Sequence, residues 1–328
     1  MSADKIFEIT NEEQFHVCAL EVFRFQYENC ETYREYVDLL GVDPKGVEKI
    51  EDIPFLPIRF FKSRRIIAKG MEPEVIFRSS ATTGMVQSQH FVADVSIYKR
   101  SFTEGFRLFY GAPEDYTILA LLPSYLERND SSLVFMANEL IKLTGRPDSG
   151  FFLYEYEKLY EALIRLREER KRTILLGVSF ALLDFAERFH LEWPELIVME
   201  TGGMKGRRKE LSRKEIHREL QMAFGVEKID SEYGMAELLS QAYSKGDGIF
   251  ESPPWMRVMI RDLTDSFSYH RKNRVGGVNI IDLANLYSCS FIETEDLGIL
   301  MNDEKNSPFS IEGRISNSEL RGCNMLAD

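Results

Sequence analysis

The chain gathers its chemistry-bearing residue types into a few short stretches. Ser79-Ser80-Ala81-Thr82-Thr83-Gly84 sets four hydroxyls among small residues. That composition suits a tight loop whose backbone N–H and side-chain O–H groups donate to phosphate oxygens. The Gly-x-x-x-x-Gly-Lys-Ser/Thr spacing of a P-loop is absent, so the stretch alone reads equally well as a Ser/Thr turn. Ser231-Glu232-Tyr233-Gly234-Met235-Ala236-Glu237 offers a carboxylate for Mg²⁺ and a tyrosine face for a base. Its plain alternative is a strand-to-helix turn with Glu237 in solvent. Glu293-Thr294-Glu295-Asp296-Leu297-Gly298 ends a strand candidate with acids that can accept hydrogen bonds from ribose hydroxyls, and Gly313-Arg314-Ile315 follows it.

Other residues point to rival chemistries. Gly177-Val178-Ser179-Phe180-Ala181 is one substitution from the nucleophile elbow of a serine hydrolase, with His190, His217 and His270 available downstream as bases. The four cysteines, Cys18, Cys30, Cys289 and Cys323, form no CxxC pair, which excludes a usual zinc framework. Cys18 falls within an apolar helical pattern and reads as core. A net charge of −12 opposes nucleic-acid binding, because counterion release rewards basic surfaces. The basic run from Lys205 to Arg218, with Arg207, Arg208, Lys209, Arg213 and Lys214, lacks aromatics on which bases stack. It reads as a solvated helix face, or as the docking surface of a non-catalytic binding protein.

The elements that must position these residues follow an α/β rhythm. Phe15, Ala19, Val22, Phe23 and Tyr27 recur at helical spacing behind an Asn11 cap, so residues 1–70 form an N-terminal helical region. Pro54, Pro57 and Ile58-Arg59-Phe60-Phe61 break that period and predict an extended segment. Short apolar runs then alternate with amphipathic ones, at Tyr116–Leu122, Gly150–Tyr154, Thr173–Val178, Leu196–Glu200 and Val226–Ile229. This predicts βα layers around largely parallel sheets, with ligands at the strand carboxyl ends. After about residue 240 the texture becomes β-rich, with strands at Trp255–Arg261, Gly277–Asp282 and Ser290–Glu293. The expected domains are 1–70, 71–312 and a short tail, 313–328, that carries Cys323. No signal peptide and no apolar run of about 20 residues is visible, so a cytoplasmic protein without a transmembrane segment is expected.

In this order, the four stretches at 79–84, 231–237, 293–298 and 313–315 resemble the adenylate-forming superfamily of acyl-CoA ligases and luciferases. Pro123-Ser124-Tyr125-Leu126-Glu127-Arg128, Thr201-Gly202-Gly203-Met204-Lys205 and Glu319-Leu320-Arg321-Gly322-Cys323 are similar, more narrowly, to the acyl-protein synthetase family of bacterial luminescence. The resemblance implies the large domain of that superfamily without the separate C-terminal domain of CoA ligases. It implies ATP-dependent activation of a carboxylic, and by family a fatty, acid as an acyl-adenylate. Transfer to Cys323 as a thioester and onward to an acyl-accepting protein, such as a reductase or carrier, would follow. By the same resemblance Ser79, Ser80, Thr82, Thr83 and Gly84 hold phosphates, Gly202 and Gly203 line the adenine, and Tyr233 with Gly234 meets the base. Glu237 holds Mg²⁺, Asp296 binds the ribose, Arg314 closes the domain, and Lys205 substitutes for the lysine that stabilises adenylation. Three positions depart from the family pattern: Ala81 stands for the usual glycine, Gln87 for the cation that commonly ends the loop, and Glu295 for the glycine of Thr-Gly-Asp. An acyl- or aryl-CoA ligase shares the first half-reaction, and Cys323 separates the two.

Overall fold

The computed structural model describes residues 2–80, 86–123, 130–202 and 211–315. Helices α1 (Asp4–Phe7), α2 (Glu12–Asn29) and α3 (Glu31–Leu39) precede strands β1 (Leu56–Pro57), β2 (Val75–Arg78) and β3 (Gln89–Val92). There follow α4 (Val95–Tyr110), β4 (Thr117–Leu121), α5 (Ser132–Thr144), β5 (Gly150–Phe152), α6 (Tyr156–Glu168) and β6 (Thr173–Gly177). Next come α7 (Ser179–Ala186), β7 (Ile197–Glu200), α8 (Arg213–Phe224), β8 (Asp230–Tyr233) and β9 (Ala242–Ser244). The last strands are β10 (Ile249–Phe250), β11 (Met256–Arg261), β12 (Gly276–Asp282), β13 (Phe291–Leu300) and β14 (Phe309–Arg314).

Packing divides these elements into two compact units. One takes the described residues up to Glu74, His90–Asp94 and those from Glu251 on; the other takes Val75–Gln89 and Val95–Phe250. The second unit is built on a sheet of order β5-β4-β6-β7-β8-β9, parallel from β5 to β8 and antiparallel between β8 and β9. Every residue of β4 and β6 is buried, which is why these strands read as unbroken apolar runs. α8 starts at a capping box made by Ser212 and Glu215 and stops at Gly225 in the left-handed conformation.

The strand expected at 226–229 lies instead at Asp230–Tyr233, on polar residues. Pairing with β7 sets Met199 against Asp230 and Glu200 against Ser231. The sheet supplies partners that the sequence pattern does not reveal: Tyr110 Oη donates to Asp230 at 2.9 Å, and Ser231 Oγ lies 3.4 Å from His217 Nε2. A buried polar strand is tolerated when its groups are bonded in this way.

In the first unit β11, β12, β13 and β14 pair antiparallel in chain order, and β1 joins β13 in parallel. The segment predicted to be extended becomes a 3₁₀ turn at Ile58–Lys62 after two strand residues. This unit draws its core from segments far apart in the chain, the N-terminal helices and the strands from β11 to β14. Buried Gln26 on α2 donates to the carbonyls of Asn285 and Leu286 and to Ser290 Oγ, and accepts from Ser290 N. Tyr33 stacks on Phe291 at 6.0 Å, and Arg257 pairs with Glu12. No helix among the described residues is long and apolar enough to cross a membrane.

Candidate active site

Polar chemistry concentrates at the carboxyl ends of β7 and β8, where parallel sheets place ligands. Glu200 ends β7 as a fully buried carboxylate. Its Oε2 accepts from Ser179 Oγ at 2.9 Å and from the Gly202 N–H at 2.6 Å; Arg213 Nε lies 3.5 Å and His217 Nε2 3.6 Å from Oε1. Burial pushes this carboxyl up, but the His217 ring, the Arg213 charge, the Gly202 N–H and the Ser179 hydroxyl outweigh it and hold the pKa at about 2. Ser179 N also donates to the Gly202 carbonyl at 2.9 Å. Gly202, predicted to line a nucleotide, is therefore fixed through both of its backbone polar groups. Its φ of +71° requires glycine, and no atom lies within 4 Å of a would-be Cβ. Gly202→Ala is accordingly expected to cost roughly 1–2 kcal/mol through backbone strain alone, measured as a shift in urea unfolding; an unchanged midpoint would refute the assignment.

No motif singles out Glu200, while Arg213 reads only as part of the basic run and His217 as part of that run or as a hydrolase base. An acid closing an apolar strand candidate is the signal that could have found Glu200, because such a group needs partners. Arg213 and His217 belong to the basic run read as a solvated face, yet they turn towards that buried carboxylate. Ser179 is buried and gives its hydroxyl to Glu200, and among the described residues no imidazole is bonded to it. A hydrolase needs histidine between serine and acid to take the proton, and this geometry does not provide it.

Tyr233 on β8 is buried, with its ring 5.8 Å from that of Phe250. The chain then turns, with Leu238 N bonded to Met235 O, and no helix follows. Glu237 is not solvated as the plain alternative supposed; it is 4% exposed. Glu232, beside Tyr233, is buried as well. Burial first, and the charge of Glu200 second, push its carboxyl up to about 8. The two neighbouring acids are thus driven in opposite directions, Glu200 ionised and Glu232 holding its proton at neutral pH.

Ser79 serves as a clamp at the neck of its loop: Ser79 Oγ accepts from Ser88 N at 3.0 Å, and Ser79 N donates to Ser88 O at 3.1 Å. The preceding Arg78 bonds through its N–H to Asp130 O at 2.8 Å and through its guanidinium to Asp130 Oδ2 at 3.3 Å. Ser80 leads into the loop, whereas Ala81, Thr82, Thr83 and Gly84 lie outside the described residues, as do Ser124 to Arg128, Gly203, Lys205 and Cys323. In the first unit Asp296 and Arg314 are opposed across β13 and β14, and Arg314 Nε reaches Asp296 Oδ1 at 3.3 Å. Thr294 Oγ1 donates to Val278 O at 2.8 Å and accepts from the Asp296 N–H, fixing the strand at the acid.

The family model described as acyl-protein synthetase, LuxE, matches residues 2–327. A long-chain-fatty-acid–luciferin-component ligase of Photorhabdus luminescens is 37% identical over 67 residues, which are 20% of this chain and 57% of that protein. The chain thus spans less than two thirds of that relative's length. Among solved structures, a 2-hydroxyisobutyryl-CoA ligase bound to 2-HIB-AMP and CoA is similar with a TM-score of 0.67 at 14% identity, covering 93% of this chain and 70% of that one. ATP-bound MatB from Rhodopseudomonas palustris is similar with a TM-score of 0.56 at 17% identity, over 76% of this chain and 49% of that one. The fold is that of the adenylate-forming ligases.

Proposed function

The chain belongs to the acyl-protein synthetase family, and from that premise we propose that it activates a carboxylic acid with ATP and carries the acyl group as a thioester on Cys323. A carboxylate oxygen of the acid attacks the α-phosphorus, the bond to the bridging oxygen breaks, and pyrophosphate leaves with the electron pair. The Cys323 thiolate then attacks the acyl carbon and releases AMP. The acyl group passes onward to a protein acceptor.

The observation that carries this reading is the family match along nearly the whole chain, with its motif residues Gly202, Tyr233 and Gly234 at the ends of adjacent parallel strands. The other cysteines support it by contrast. Cys18, Cys30 and Cys289 are buried. Burial raises each thiol, that of Cys18 to about 11, so none of the three offers an accessible thiolate. Ser79, Ser80, Thr82, Thr83 and Gly84 keep their proposed place at the phosphates, Gly202 and Gly203 at the adenine, and Lys205 at the developing charge. Asp296 is assigned to the ribose and Arg314 to the closing edge.

Glu237 is the proposed Mg²⁺ ligand. No cluster of three or more histidine, cysteine or acidic groups occurs among the described residues. That donor set fits an ion held by one carboxylate, phosphate oxygens and water, as Mg²⁺ usually is. When bound, the ion neutralises charge on the phosphates.

Cys323→Ser is expected to keep carboxylate-dependent ATP–pyrophosphate exchange and to lose hydroxylamine-sensitive acyl labelling of the protein. Labelling that persists in the variant overturns the role of Cys323. Absence of exchange in the wild type with every acid tried overturns adenylation.

A further inference from the structure

The acid assigned to the ribose sits in an irregular stretch of strand in the first unit. Between β12 and β13 the ladder sets Gly277 against Leu297 and then Asn279 against Glu293. Val278 alone therefore faces Thr294, Glu295 and Asp296, so β13 bulges over the three residues that end in Asp296. Bulges occur beside active sites, where they re-aim a side chain, and they take backbone groups out of the ladder.

Arg261, the last residue of β11, holds this bulge. Its Nη2 donates to the Thr294 carbonyl at 2.9 Å, while its Nη1 donates to the Val278 carbonyl at 3.1 Å and to Asn279 Oδ1 at 2.9 Å. The guanidinium is thus bonded to both strands at the irregular point. Thr294 Oγ1 completes the bracket, since it donates to the same Val278 carbonyl and accepts the Asp296 N–H. Gly277 opposes Arg261 in the β11–β12 ladder, and an added Cβ there would collide with the guanidinium. Glycine at this position leaves room for the arginine to cross β12 and reach β13.

We propose that Arg261 is the positioning residue of the ribose subsite: its guanidinium holds the bulge at Thr294–Asp296 and so aims the Asp296 carboxylate at the ribose hydroxyls of ATP. The inference rests on the adenylation reading above, in which Asp296 binds the ribose, and adds the residue that places it. Arg261 is 5% exposed, and a guanidinium taken out of water is tolerated only where its donors and its charge are met. The carbonyls of the bulge and Asn279 meet the donors, and Glu293 Oε1 at 3.7 Å offsets the charge. A regular antiparallel ladder satisfies its own backbone and has no need of such a group. The bulge does need it, because the Thr294 carbonyl and the Asp296 N–H are bonded by side chains instead. A carboxylate that selects a ligand must be held to within about 0.5 Å, which calls for a locked supporting shell.

The test is carboxylate-dependent exchange of labelled pyrophosphate into ATP and into 2′,3′-dideoxy-ATP, by the full chain with saturated fatty acids of several lengths. The wild type is expected to prefer ATP by about 100-fold or more in kcat/KM, because a site that bonds hydroxyls rejects the analogue lacking them. Arg261→Lys is expected to cut that preference to under about tenfold, since one ammonium cannot span acceptors on both strands as a planar fork does. Thr294→Val removes the other half of the bracket with little change of shape and is expected to act in the same direction. A folding defect lowers exchange with both nucleotides alike and leaves their ratio intact, so the ratio isolates the aim of Asp296. Asp296→Ala is the reference and is expected to abolish the preference. If it does so while the ratio survives in Arg261→Lys, or in Thr294→Val where the lysine variant does not fold, the proposal is overturned and the ribose assignment stands. A preference that survives Asp296→Ala removes the ribose assignment, and this inference with it, but leaves adenylation standing. Absence of exchange in the wild type with every acid removes the adenylation reading and all that rests on it.

Discussion

Glu200→Ala is expected to destabilise the second unit by roughly 3–5 kcal/mol, the usual cost of removing one member of a buried charge cluster. The substitution strips the Ser179 hydroxyl and the Gly202 N–H of their acceptor and takes the carboxylate from buried His217 and part-exposed Arg213. The chain has two tryptophans, and Trp193 is the one buried in this unit. A Trp255→Phe background therefore makes indole fluorescence report the unit directly during urea unfolding. The pH dependence supplies a second check. The folded pKa, about 2, lies below the ordinary 4.5. The ionised form thus contributes about 3 kcal/mol at neutral pH, and this is lost as pH falls from about 4.5 through 2. Wild type and variant are expected to converge over that window; curves that stay parallel would show that the carboxylate is not held by its partners.

Glu232→Gln is expected to have the opposite dependence. In the fold Glu232 keeps its proton up to about pH 8, whereas the unfolded chain releases it near the ordinary 4.5. The stability associated with this raised pKa is complete below about 4.5 and is lost as pH rises through about 8. The total is on the order of 5 kcal/mol. Glutamine has no such proton, so the variant should gain on the wild type by that amount between pH 4.5 and 8, measured by urea unfolding at several pH values. Equal pH slopes in the two proteins would refute the raised pKa. Burial is the larger cause and Glu200 the smaller, so combining Glu232→Gln with Glu200→Ala should give a smaller gain than in the Glu200 wild-type background.

Several elements were legible from pattern alone. β4 and β6 were read as Tyr116–Leu122 and Thr173–Val178, within a residue or two of their ends, because continuous burial makes a strand apolar throughout. The N-terminal helices were legible through the 3.6-residue period and the Asn11 cap, whose side chain accepts from Gln14 N. β8 was misread, since Asp230, Ser231 and Glu232 carry no strand signal until Tyr110, from a helix far along the chain, and His217, from the helix just before, supply partners. The 3₁₀ turn at Ile58–Lys62 was missed for a related reason: the prolines announce a break in period without saying which compact form replaces it.

The motif residues Ser79, Gly202, Tyr233, Asp296 and Arg314 were likewise found in the chain by type, spacing and order. What surrounds them was not. Glu200 and Glu232 are both glutamates at or next to the end of a short strand, with nothing in their local sequence to part them. Only the fold supplies one with a guanidinium, an imidazole, a hydroxyl and an N–H while burying the other beside a like charge. By itself, then, the sequence determined the family and the α/β architecture, because these depend on period, composition and order along one chain. The tertiary structure decided which buried acid is ionised, which serine is structural and how segments far apart in the chain close one unit, because those outcomes depend on desolvation and on partners distant in sequence.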